Sequence, residues 1–218
     1  MSFTNQLYPL ELAFVPDHDP GLVIVSLLFA LCGTYTALAI LGPIRGATTA
    51  FKRGLWLTFG SLALSGGIFG MHFVGMIAYR LPIPVHFATD LTLLSLLPAL
   101  LSSALMLYLL GIRTPFGRRS NRIMASVVLG VGVAAMDYTA MKAMQLEATM
   151  ILNPLLFTLA LITTPILSTI ALNSRPLAQR LEGKFPLFSR FLSPFILAGA
   201  IASLHYLMLA ATRFFPGG

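Results

Sequence analysis

Residues 21–42 read GLVIVSLLFALCGTYTALAILG, a run without one charged side chain. Wound as a helix at about 1.5 Å per residue, the run is about 33 Å long, enough to cross a hydrocarbon layer about 30 Å thick. Irregular backbone cannot make that crossing, because lipid offers no partners to its amide and carbonyl groups. Five more runs pass the same test, at approximately 55–79, 91–111, 123–145, 151–173 and 194–215. The expected fold is an all-α membrane protein of six transmembrane helices, with an outer N-terminal segment over 1–20 and the membrane domain over 21–215. Composition agrees: of 218 residues 57% are hydrophobic and 10% charged, and the mean hydropathy is +0.86, whereas water-soluble chains carry about 25% charged residues. Pro43, Pro82, Pro84, Pro115, Pro176 and Pro186 fall between the runs, while Pro98 and Pro165 fall inside them and predict kinks. Cys32, the sole cysteine, excludes an internal disulfide and reads as a buried free thiol.

The net charge of +7 does not point to nucleic acid, because the basic residues sit in short clusters between apolar runs and not on one polar face. Eleven of the fourteen occupy one set of loops: Arg45, Lys52, Arg53, then Arg113, Arg118, Arg119, Arg122, then Arg175, Arg180, Lys184, Arg190. The opposite side has Arg80, Lys142 and Arg213, and it collects Glu11, Asp17, Asp19, Asp90 and Glu147. Positive loops stay inside, so both termini are expected outside and the inner clusters to touch anionic lipid. No Lys or Arg precedes the first run, so it lacks the basic start of a cleavable signal and reads as a retained span.

The even-numbered spans repeat. Gly70-Met71-His72-Phe73-Val74-Gly75-Met76, Ala135-Met136-Asp137-Tyr138-Thr139-Ala140-Met141 and Ser203-Leu204-His205-Tyr206-Leu207-Met208 align on a polar residue at intervals of 65 and 68 positions. Each unit is one helical hairpin, and the chain is three repeated hairpins. All three even spans run outward, so His72, Asp137 and His205 reach similar depth below the outer surface. Polar groups there are costly and turn inward toward partners, which reads either as one shared ligand site or as a structural polar knot. Met76 and Met141 stand four residues beyond His72 and Asp137 on the same helix faces, and Met208 three beyond His205. Imidazole beside thioether suits copper better than magnesium or calcium. Those methionines also read as packing residues, as do Gly66, Gly67, Gly70, Gly75, Gly130, Gly132 and Gly199, which permit close helix approach. His18 and His86, in outer loops, stand where they could cover the site, and His18 joins the candidate ligands. Tyr79, Tyr206, Phe214 and Phe215, near span ends, read as interfacial anchors.

At these residues the chain resembles the MHYT family of bacterial membrane sensor domains, whose repeated signature is Met-His-Tyr-Thr followed by Gly-Met. The resemblance runs over about 15–215. It rests on Trp56-Leu57 leading into Met71-His72-Phe73-Val74-Gly75-Met76 and Tyr79-Arg80-Leu81-Pro82, on Thr92-Leu93-Leu94-Ser95-Leu96-Leu97, and on Ala134-Ala135-Met136-Asp137-Tyr138-Thr139-Ala140-Met141. It implies a seven-helix sensor of the bacterial inner membrane that holds copper through motif His and Met residues and perceives oxygen, carbon monoxide or nitric oxide. It also implies a fused cytoplasmic output domain, such as a cyclic-di-GMP enzyme or a histidine kinase. Carried over, His72, Met76, Met71, Met136 and Met141 match. Asp137 stands where the second motif His belongs, and the third copy keeps His205-Tyr206 but has Leu204, Leu207-Met208 and Leu209 for the rest. The seventh helix has no counterpart here, so the chain reads as stand-alone or as lacking its output domain. A carboxylate is a poor partner for Cu(I), so Asp137 reads either as ligand to a harder ion or as a group that accepts a proton from His72 or His205 and orients it.

Three functional classes follow. The first is a sensory membrane module with copper held by His72, His205 and Asp137, with Met76, Met141 and His18 as further ligands, and a diatomic gas as its signal. The second is an ion or proton transporter, or a haem-type electron carrier, since intramembrane Asp and His also mark such paths. The third is a scaffold that binds a partner membrane protein through its glycine-rich faces. No nucleotide loop, zinc helix or nucleophile elbow is present, so no enzyme activity is expected.

Overall fold

A computed structural model describes residues 13–14, 17–111, 117–146, 148–181 and 183–216. Most of the outer segment 1–20, including Glu11, lies outside the described residues, as do Arg113, Pro115 and Glu147. Six helices are long and apolar enough to cross a membrane: α1 (Pro20–Gly46), α2 (Ala50–Ala78), α3 (Thr89–Gly111), α4 (Arg118–Lys142), α5 (Pro154–Asn173) and α7 (Pro186–Ala211). A short α6 (Arg175–Leu181) links α5 to α7 on the basic side. α1 packs along α2, α3 along α4 and α5 along α7, which are the three hairpins of the repeat. Large apolar side chains such as Ile24, Leu101, Val131, Ile166 and Phe195 stay exposed around the bundle, a surface that lipid covers at no hydrophobic cost. Cys32 belongs to that exposed surface and not to the core, which corrects its reading as a buried thiol.

The outer ends of the spans depart from the expected boundaries. Helix gives way to strand at Tyr79, Met144 and Thr212, so the runs 55–79, 123–145 and 194–215 end early on the outer side, and 151–173 begins late. The chain forms three antiparallel ribbons there: β1 (Asp17–His18) with β2 (Tyr79–Arg80), β3 (His86–Phe87) with β4 (Met144–Gln145), and β5 (Ala148–Leu152) with β6 (Thr212–Pro216). Each ribbon joins the start of a hairpin to its end. Below it the same backbone bond recurs: Asp19 donates to the Ala78 carbonyl at 2.9 Å, Ala88 to Ala143 at 2.8 Å and Asn153 to Ala211 at 2.8 Å. The repeat is therefore strand–helix–helix–strand, and the ribbons supply partners that helix ends lack. Phe214 and Phe215, in β6, are buried, which corrects their reading as anchors at the membrane surface.

Prolines obey the same end logic. Pro20, Pro154 and Pro186 open α1, α5 and α7, where the first amides have no acceptor to lose. Pro186 thus starts a helix, and Pro43, also expected between spans, lies in the last turn of α1. Pro98 and Pro165 lie inside α3 and α5 as expected, and Pro194 lies inside α7. Asp19 and Asn153 cap α1 and α5 with side-chain oxygens, each accepting from two amides. Asp19 also pairs with Arg80 at 2.6 Å, but the pair is solvent-exposed enough to add little. Asp19→Ala and Asn153→Ala should each lower stability by about 1 kcal/mol, read as small shifts in thermal unfolding of detergent-solubilised protein.

Candidate metal centre

His72, Asp137 and His205 stand five or six residues before the ends of α2, α4 and α7, which puts all three about 8–9 Å below the outer helix ends. The ribbons confirm that equivalence, since Tyr79, Met144 and Thr212 each follow the polar residue by seven positions and each sits in a pair. In cross-section the three hairpins turn these side chains to the bundle centre, where all are fully buried or nearly so. The imidazole Nδ1 of His72 lies 2.8 Å from Asp137 Oδ1, and Nδ1 of His205 lies 3.1 Å from Oδ2. The two Nδ1 atoms are 3.1 Å apart, with ring centroids at 4.7 Å in an edge-on arrangement. The other ring nitrogens, His72 Nε2 and His205 Nε2, are buried and have no hydrogen-bond partner.

Five glycine-sized approaches lie at and below the site. Gly75, on α2, faces the His205 ring, and a Cβ there would come within 2.5 Å of His205 Nε2 and 3.5 Å of the Tyr206 hydroxyl. That hydroxyl shares a 2.6 Å hydrogen bond with Ser26, which ties α7 to α1 beside the site. Five residues before the polar position, Gly67 meets the backbone of Phe29 and Gly33, and Gly132 meets Ser102 and the Pro98 carbonyl. Gly70 meets the Phe29 ring and Gly130 meets Pro165. Gly66 and Gly199, expected to be close-approach glycines too, face open space, because one residue of helix turns the side chain about 100° away.

The methionines separate into two layers. Met141 is fully buried in the main core with Met71, Met136 and Met208. Met76 belongs to the outer cluster with Tyr79, Met144, Leu209 and Phe214, which draws on all three hairpins, and it lines a cavity of about 360 Å³ beside Arg80 and Phe87. Burial pushes the Tyr79 phenol up to about 12, so that hydroxyl keeps its proton across the physiological range. His18 lies in β1, exposed, with its ring edge-on to Tyr79 at 5.2 Å. It does not join His72, Asp137 and His205, whose donor atoms lie within 4.8 Å of one another as the one such group among the described residues. His86 is exposed in β3. Spacing could not foretell these separations, because they depend on where the ribbons take the chain after each helix.

The donor set fits a transition metal. Two imidazoles and a carboxylate converge in a water-poor interior, and two of the imidazole nitrogens there have nothing to bind. Nitrogens about 2.0–2.1 Å from one ion lie within about 4.2 Å of each other, so imidazoles this close can share an ion. The same contact leaves no slot for a haem between the rings.

A family profile described as a bacterial signalling protein N terminal repeat, MHYT, matches residues 66–124 and 130–183. Over 194 residues, 89% of the chain, the sequence is 34% identical to the cyclic di-GMP phosphodiesterase NbdA of Pseudomonas aeruginosa. It is 35% identical over 203 residues, 92% of the chain, to the bifunctional diguanylate cyclase/cyclic di-GMP phosphodiesterase MucR of the same organism. Over 199 residues, 89% of the chain, it is 30% identical to the signaling protein YkoW of Bacillus subtilis. The aligned region is 24%, 29% and 24% of those three proteins, so the chain spans about a quarter of their length. No solved structure matches.

Proposed function

The chain belongs to the MHYT family of bacterial signalling proteins, and on that premise we propose that it is a sensory membrane module built around a metal centre at His72, Asp137 and His205. The observation that carries the proposal is the convergence of these three buried side chains, one from each hairpin, with two imidazole nitrogens unpartnered. Copper is the first candidate, since imidazole accepts either copper state and Met76 and Met141 add thioethers one turn beyond His72 and Asp137. When bound, the metal supplies a coordination position that oxygen, carbon monoxide or nitric oxide can take. The protein's part is to hold the rings, exclude water and pass on any displacement: a shift of one side chain moves its whole hairpin against the other two. Such a signal needs two packings of the bundle that the ligand distinguishes.

The ribbon side is the extracytoplasmic face in this reading. Arg45, Lys52, Arg53, Arg118, Arg119, Arg122, Arg180, Lys184 and Arg190 gather at the opposite end, which supports placement in the bacterial inner membrane with both termini outside. An output domain of the kind its relatives' names describe would receive the displacement, in the same polypeptide or as a partner. Detergent-purified protein loaded with copper should retain about one equivalent, as a single closed site requires, and its visible or electron paramagnetic resonance spectrum should change on adding nitric oxide. Protein that stays metal-free after loading would remove the proposal.

A further inference from the structure

Between the first and second hairpins the chain reads Leu81-Pro82-Ile83-Pro84-Val85, apolar throughout, on the outer side between β2 and β3. Burial alternates along it: Leu81, Ile83 and Val85 are half-buried, while Pro82 and Pro84 are exposed. Each proline disfavours helix at the residue before it, and a period of two sends alternate side chains to one side. Leu81, Ile83 and Val85 form a wall of the cavity of about 360 Å³ beside β2. The connection to the third hairpin, residues 146–147 between β4 and β5, is too short to build such a wall.

Met76 and Met144 close the cavity from α2 and β4, and Phe87 from β3. Two side chains with polar heads reach it, Tyr79 and Arg80. Tyr79 is only 8% exposed, yet its hydroxyl has no hydrogen-bond partner among the described residues. That hydroxyl keeps its proton, so it stands as a donor. Arg80 gives one nitrogen to Asp19 at 2.6 Å. A guanidinium has five N–H donors and no acceptor, and the rest of this one, on a side chain 61% exposed, has no other partner among the described residues. An occupant must therefore be apolar along most of its length and bring acceptors at one end.

Position and size narrow the class. Ile77, also on the cavity, is 61% exposed on the lipid-facing surface, and Arg80 stands two residues beyond the end of α2. The cavity thus lies at the membrane surface on the ribbon side, where an amphiphile has its head and first carbons. At about 30 Å³ for each water-sized group, 360 Å³ holds about a dozen heavy atoms, one chain of medium length with its head and not a two-chain phospholipid. The planar fork of an arginine matches the two oxygens of a carboxylate.

We propose that this cavity binds a single-chain acyl carboxylate, with its tail against Leu81, Ile83, Val85 and Phe87 and its head held by Arg80 and Tyr79. The site is separate from the candidate metal centre and does not depend on it. Met76 lines the cavity one turn beyond His72, so an occupant bears on the end of α2 and gives the first hairpin a second input.

The test uses the full chain in phosphatidylcholine nanodiscs, labelled with a photoreactive decanoate and mapped by mass spectrometry. Label should concentrate on residues 76–87, and plain decanoate should displace it. Methyl decanoate keeps the tail and loses the charge, so it should compete about tenfold or more weakly, the effect of losing hydrogen bonds to a charged group. Arg80→Gln should weaken decanoate binding to the same extent without altering thermal unfolding, because the exposed pair with Asp19 adds little to stability. Ile83→Glu, which puts a like charge in the wall, should abolish labelling. Label spread evenly over the exposed helix faces, or binding indifferent to both substitutions in folded protein, would overturn the proposal. Phosphatidylglycerol displacing the probe as well as decanoate does would overturn it too, and would give the cavity to a lipid headgroup. Metal content enters none of these readouts, so failure here leaves the metal reading standing.

Discussion

Replacing His72 by alanine should strip copper from the protein, from about one equivalent to under about a tenth, because two nitrogen donors are too few to lose one. Elemental analysis of matched preparations measures this. The same change leaves Asp137 Oδ1 without its 2.8 Å donor in a fully buried place. Removing one partner from a buried pair costs about 3–5 kcal/mol, so the alanine variant also loses thermal stability. His72→Gln separates the two effects, since its amide can donate to the carboxylate but offers no imidazole. It should recover part of the stability and none of the metal. Retention of metal by a folded His72→Gln protein would show that the centre lies elsewhere.

Gly67→Val should unfold or gravely destabilise the first hairpin, whereas Gly66→Ala, its chain neighbour, should have no effect. A Cβ at Gly67 would meet the Phe29 carbonyl oxygen and the Gly33 Cα, both at 2.8 Å, and these are backbone atoms that no rotamer change can move aside. α1 and α2 would have to separate along their length. Overpacking costs about 1–3 kcal/mol even where side chains can yield, so the valine lies at or beyond the upper end of that range. Gly66 meets nothing within 4 Å. Thermal unfolding and protease resistance in detergent compare the two, and equal behaviour would contradict the packing described here. Gly67 also stands five residues before His72 on α2, so a milder Gly67→Ala that still folds should displace His72 and weaken metal retention.

Much of this was legible in the residues because the membrane leaves few choices. A charge-free run such as 21–42 has to be a helix when no water is there to pair its backbone, and Asp137 among apolar residues has to turn inward. The alignment of His72, Asp137 and His205 at 65- and 68-residue intervals placed three polar groups at one depth, and the fold keeps them there. The ends of the spans were not legible, because Tyr79, Ala143 and Thr212 are as apolar or as neutral as the helices before them. What ends each helix is a distant backbone partner, such as the Asp19 amide on the Ala78 carbonyl, and hydropathy carries no record of it.

Glycine positions divide in the same way. Gly66 and Gly67 are indistinguishable as letters, and only the angle at which α1 crosses α2 makes one indispensable and the other idle. For the centre itself, composition along the chain could name imidazole, carboxylate and thioether and count the residues between them. It could not say which ring nitrogen meets the carboxylate, that Met76 joins the outer lid while Met141 joins the core, or that His18 rests on Tyr79 out of reach. Periodicity sets depth and facing, which are properties of one helix. Contact between atoms of different hairpins is set by how close three helices come and how far each is rotated, and both emerge from the packing of all six.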